Sequence, residues 1–107
     1  MRARRCVGFV GGVERIEREL HSVAGQVGVD VEVHAGHTRG NGAARLAALI
    51  RRTHLVVIIT GTNSHNAVLL AKREANRLGI PLRILKSCGV GTARTLLQEF
   101  SQEFAKT

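Results

Sequence analysis

His54-Leu55-Val56-Val57-Ile58-Ile59-Thr60 holds five consecutive aliphatic residues, four of them β-branched. A run of that length with no polar face reads as a strand buried on both sides, the mark of a central strand in a parallel sheet. Cys6-Val7-Gly8-Phe9-Val10 is apolar throughout in the same way. Val29-Asp30-Val31-Glu32-Val33-His34 instead alternates, so one of its faces is solvated. A fourth apolar segment, Pro81 to Leu85, carries Arg83. The first and third strands are therefore expected at the centre of the sheet and the second and fourth at its edges, in the order 2-1-3-4.

Helical patterns fill the gaps. Val13, Ile16, Leu20, Val23 and Val27 recur at helical spacing over roughly 13–27, with Gly28 as the stop. A second helix is capped by Asn41, bears Leu46, Leu49 and Ile50, and runs to about Arg52. A third opens at Asn63 or Ser64 and ends at Leu78-Gly79, with Pro81 close behind. Thr92 caps a terminal helix bearing Leu96, Leu97, Phe100 and Phe104. Strands alternating with helices require right-handed crossovers. The expected architecture is a small flavodoxin-like or Rossmann-like three-layer α/β fold, with a four-stranded parallel sheet and four helices.

The chain has 107 residues and reads as one domain over 1–107. Hydrophobic residues make up 44% and charged residues 22%, which excludes a disordered chain. No apolar run is long enough to span a membrane. The basic start, Met1-Arg2-Ala3-Arg4-Arg5, is followed by an apolar run too short and glycine-broken for a signal peptide. Two cysteines are too few for a disulfide scaffold and fit a cytoplasmic protein. Open, charged edges on so small a sheet suggest a homodimer or higher homo-oligomer.

Ligands of open parallel sheets bind beyond the C-terminal strand ends, where strands one and three diverge. The loops expected there hold Gly11-Gly12, His34 through Gly42, Thr60 through Asn66, and Ser87 through Gly91. They concentrate three of the five histidines and one of the two cysteines. Gly11-Gly12 sits at a strand-to-helix turn without forming GxGxxG. It would set a phosphate against a helix N-terminus, or simply make a tight turn. Gly89-Val90-Gly91-Thr92 offers a second such turn.

His34 and His37 are spaced HxxH, and His65 opens a helix. These imidazoles with the Cys88 thiol are the residue types that bind zinc, copper or haem iron. The competing reading is exposed loop histidines. CxxCH is absent, which excludes covalent haem attachment. Cys88 reads first as a small loop residue; in the competing reading Lys86 and a helix start nearby would lower its pKa and make it reactive or metal-binding. His54 lies at the opposite end of the sheet and reads as structural, as does the buried Cys6. His21 is placed on the surface of the first helix.

Between Val33 and Gln98 the sequence has ten bases, Arg39 among them, and a single acid, Glu74. Such a field attracts anions, including nucleic acid bound weakly and without sequence preference. With no Trp, no Tyr and three Phe, base stacking is nearly unavailable. No Ser-His-Asp order or GxSxG elbow occurs, and a Cys88-His pair would lack an orienting carboxylate, so the reading leans away from an enzyme.

Val10-Gly11-Gly12 after the first strand, the His-rich loop after the second, and Ser64-His65-Asn66-Ala67 after the third together resemble the bacterial family called domain of unknown function 2325. Ala71-Lys72 and Gly79-Ile80-Pro81 add to the resemblance, which spans nearly the whole chain. It implies a small Rossmann-like cytosolic protein, often oligomeric, with no assigned enzyme activity and with some members linked to haem binding and redox or iron regulation. Gly11, Gly12, Ser64, His65 and Asn66 match its motif, and His34 and His37 match more loosely.

The leading expectation is thus a haem-binding regulatory, sensing or carrier protein. His65 and His37 would ligate iron, with His34 or His21 as alternatives, and basic residues would meet the propionates. Arg39, Asn63, Asn66 and Cys88 complete the candidate site. The alternatives are an anion or nucleotide sensor built on the glycine loops, a transition-metal site, and a nucleic-acid accessory protein.

Overall fold

The aliphatic run around Val57 forms the centre of the sheet. A computed structural model describes residues 4–106, without the side chains of 62 and 104–106. The sheet contains β1 (Cys6–Val10), β2 (Asp30–His34), β3 (Leu55–Ile59) and β4 (Leu82–Leu85), all parallel, in the order β2-β1-β3-β4. β1 and β3 are buried along their whole length, while β4 is half-buried to exposed. The expected fold class and strand order are both present.

The helices are α1 (Glu17–Gln26), α2 (Gly42–Arg51), α3 (His65–Leu78) and α4 (Val90–Lys106). Alternate side chains of the strands divide the core. Val7, Phe9, Val31, Leu55, Val57 and Ile59 pack with α1 and α4, whose share includes Leu20, Val23, Leu97 and Phe100. Val10, Val56 and Ile58 pack with α2 and α3 through Leu46, Leu49, Ile50, Ala67, Ala71 and Ala75. Fully burying a side chain such as Leu46 or Ile58 contributes roughly 1.5–3 kcal/mol. The alanine row on α3 and Gly8 on β1 let that layer sit close. A Cβ on Gly8 would lie 2.7 Å from Leu49 Cδ2 and 2.8 Å from Thr53 Cγ2.

Three helix starts differ from expectation. Over 13–27 the chain makes a separate 3-10 turn, Glu14–Ile16, before α1 begins at Glu17. Neither Val13 nor Ile16 has a side chain that can cap, so Ile16 N–H bonds Val13 O at 3.0 Å and the first turn tightens. Asn41 precedes α2 but makes no capping hydrogen bond. α4 starts at Val90 rather than being capped by Thr92. Ser64 does cap α3, its Oγ accepting from Ala67 N–H at 3.0 Å, and Gly79 ends α3 in the left-handed conformation.

The side chain of Phe104, expected on the terminal helix face, lies outside the described residues, as do Met1, Arg2 and Ala3. Among the described residues no helix is long and apolar enough to cross a membrane.

Candidate functional site

The C-terminal ends of β1, β2 and β3 open into three loops, and backbone hydrogen bonds tie these loops together. Gly11 N–H donates to His34 O at 2.8 Å, extending the β1–β2 pairing past the strand. Ser64 N–H donates to Gly36 O at 2.9 Å, joining the loop after β2 to the start of α3. Asn63 Nδ2 donates to Val10 O at 2.9 Å. The Asn63 amide is thus wedged between two glycines with positive φ, Gly11 at 104° and Gly36 at 88°. A Cβ on Gly11 would stand 2.6 Å from Asn63 Nδ2, and one on Gly36 would stand 2.6 Å from Asn63 Oδ1. That Oδ1 is buried with no hydrogen-bond partner.

His34 is buried and fully engaged. Gly36 N–H donates to its Nδ1 at 2.9 Å, so Nδ1 is the acceptor nitrogen. The ring proton then sits on Nε2, which donates to Gly42 O at 3.0 Å. Burial, the largest cause, pushes the His34 pKa below its ordinary value. The ring links the end of β2, the following loop and the first residue of α2. Neither nitrogen can ligate a metal while these bonds stand.

His37 packs its ring against His34, with centroids 5.6 Å apart and planes tilted by 48°. It is half-buried and lies over the first residue of α2. A Cβ on Gly42 would stand 2.7 Å from His37 Nδ1. That Nδ1 is buried without a partner. An N–H buried with no acceptor costs about 1–3 kcal/mol, so the neutral ring carries its proton on Nε2.

Ser64, His65, Asn66 and Arg39 are exposed, and Gly12 is half-buried. The structure brings Gly11, Asn63, His34 and His37 into one cluster and leaves His65, Asn66 and Arg39 on the surface. His21, on α1, is exposed and 3.4 Å from Glu17. His54 is structural as expected, its Nδ1 accepting from Cys6 N–H at 3.0 Å.

Cys88 is corrected by the structure. It is 6% exposed and belongs to the core under α4. Its thiol donates to Gly89 O at 3.5 Å, and burial raises its pKa instead of lowering it. Early onset of α4 turns this side chain inward. Cys6 is likewise buried, and burial above all pushes it up to about 11.

The sequence reading missed Gly36 and Gly42 as site-forming positions. Their only signal was glycine in a loop next to histidine. Behind His34, a recess of about 260 Å³ runs between β2 and α2, lined by Glu32, Arg45 and Arg52 among others. Arg52 Nε donates to Glu32 Oε2 at 3.0 Å across it. Among the described residues no three His, Cys, Asp or Glu side chains converge to hold a metal ion.

The family described as "Uncharacterized protein conserved in bacteria (DUF2325)" matches residues 6–100. The chain belongs to this family. No curated protein matches this DUF2325 chain. Among solved structures it is similar to a de novo designed Rossmann fold protein, at 18% identity and a TM-score of 0.62, covering 94% of this chain and 99% of that one. A de novo designed Rossmann 2x2 fold protein solved by NMR gives 15% identity and 0.62, over 95% and 91% of the two chains. At such identities the likeness is one of fold alone.

Proposed function

We propose that this DUF2325 domain is a ligand-binding protein of sensing or carrier type. It would take a small phosphate-bearing anion at the loop cluster beyond β1 and β2. The carrying observation is His37, whose Nδ1 is buried without a partner beside Gly42. The tautomer this favours leaves Nε2 as the donor of a ring that lies against Gly42, the N-terminal residue of α2. That terminus has no side-chain cap and carries the positive end of the helix dipole. Basic residues, Arg39 and Arg45, flank the same stretch.

Haem is the second reading, favoured by the exposed His65 at the start of α3. Its fit to a single chain is weaker. Ligation through His37 Nε2 would move a proton onto the buried Nδ1, and both His34 nitrogens are engaged. The large exposed apolar side chains available to cover a macrocycle, Leu69, Leu78 and Ile84, lie on α3 and β4 rather than on the histidine loops. A haem site would therefore rest on His65 and a second copy of the chain.

The test is a thermal-shift series with inorganic phosphate, pyrophosphate and nucleoside diphosphates, run beside a hemin titration. A ligand at tenfold its Kd adds about 1.4 kcal/mol, a rise of roughly 5–10 °C for a domain this size. The rise should vanish in His37→Gln. No shift with any anion, together with a saturable Soret band lost in His65→Ala, would replace the anion reading with the haem one.

A further inference from the structure

We infer that the outer surface of the α2–α3 layer docks on the sugar-phosphate backbone of a nucleic-acid duplex. The two helical layers differ in charge. α2 and α3 carry five Lys or Arg and one acid, whereas α1 with its 3-10 turn and α4 carry four Lys or Arg and five acids. The positive charge is thus concentrated on one side of the sheet.

The seam between α2 and α3 gathers it further. Glu74 has a side chain only 15% exposed and bonds Arg77 at 2.8 Å. Its carboxyl is held below the usual range first by that Arg77 bond, and also by the charges of Arg73 and of Arg51 from α2. Two arginines of α3 and one of α2 therefore act electrostatically on one carboxylate, which is in ion-pair contact with Arg77. Arg45, Arg51 and Arg73 have no carboxylate in ion-pair contact among the described residues.

Exposed arginines suit phosphate, which they bind through two N–H donors at once. Helices of 10 and 14 residues extend about 15 and 21 Å, enough to follow several phosphates. The chain has no Trp or Tyr, and Phe9 and Phe100 are buried, so among the described residues no Phe, Tyr or Trp ring is exposed for stacking on single strands. A duplex backbone needs none.

Fluorescence anisotropy with a labelled 20-base-pair duplex of random sequence tests this. About four phosphate contacts predict roughly a 100-fold loss of affinity between 50 and 200 mM salt. Arg51→Ala/Arg73→Ala should weaken binding at least tenfold and flatten the salt slope by about two. Arg15→Ala/Arg18→Ala, an equal charge change on α1 and the 3-10 turn before it, should stay within twofold, and so should His37→Gln. Equal losses in both double variants would reduce the effect to net charge and overturn the proposal. Absence of binding at 50 mM salt would overturn it too. Displacement of the duplex by polyglutamate at matched charge would instead assign the face to an acidic protein.

Discussion

Asn63 reaches across the end of the sheet to donate to the carbonyl oxygen of Val10 at 2.9 Å. This bond closes the gap between β1 and β3, where ligands of open parallel sheets usually enter. A recess lies instead to the β2 side, between β2 and α2, lined by His34 and Arg45 among others. The amide fits only because Gly11 and Gly36 present no Cβ to it.

Gly36→Ala should therefore be costly. The residue sits at φ 88°, and its Cβ would meet Asn63 Oδ1 at 2.6 Å and Gly11 Cα at 2.8 Å. Left-handed strain of about 1–2 kcal/mol adds to overpacking of about 1–3 kcal/mol. Gly40 also has positive φ, 53°, but nothing lies within 4 Å of its Cβ position. Gly40→Ala should lose only about 1 kcal/mol. Urea unfolding midpoints of the two variants check the contrast, and equal losses would mean that Asn63 yields easily.

The two thiols should be silent in the folded protein. Cys6 and Cys88 are both free, buried and pushed up in pKa by burial. The thiolate is the reactive form, so modification must await opening of the core. Ellman's reagent should label the native protein slowly and both residues at once in urea. Rapid labelling of one residue without urea would show that Cys88 is reached through a local opening of the α4 start.

Strand order was legible from composition because burial on two faces demands apolar residues at every position. The runs at Val7–Val10 and Leu55–Ile59 meet that demand, whereas Asp30, Glu32 and Arg83 betray edges. Gly79 and Ser64 were legible because end conformation and capping chemistry each select few residue types. The roles of His34 and Cys88 were hidden for a different reason. Both depend on how a loop turns: Gly36 at positive φ folds its N–H back onto His34, and α4 starting at Val90 swings Cys88 into the core. Sequence spacing places such residues near the site but does not say which of their atoms are already occupied.

His34 should make stability depend on pH in a defined window. Burial chiefly lowers its pKa in the folded chain from the ordinary 6.5. As pH falls through 6.5 the unfolded chain takes up a proton that the folded chain refuses. Stability is therefore fully present above about pH 6.5 and declines below it, by at most about 1.4 kcal/mol per pH unit for one proton. Glu32, held below its ordinary 4.5 chiefly by its hydrogen bond to Arg52, adds its own loss only at lower pH. Urea midpoints measured from pH 7.5 to 5 should fall for the native sequence. They should fall less for His34→Gln, whose amide can still accept from Gly36 and donate to Gly42 without titrating. Parallel curves over that range would mean that another titrating group carries the dependence.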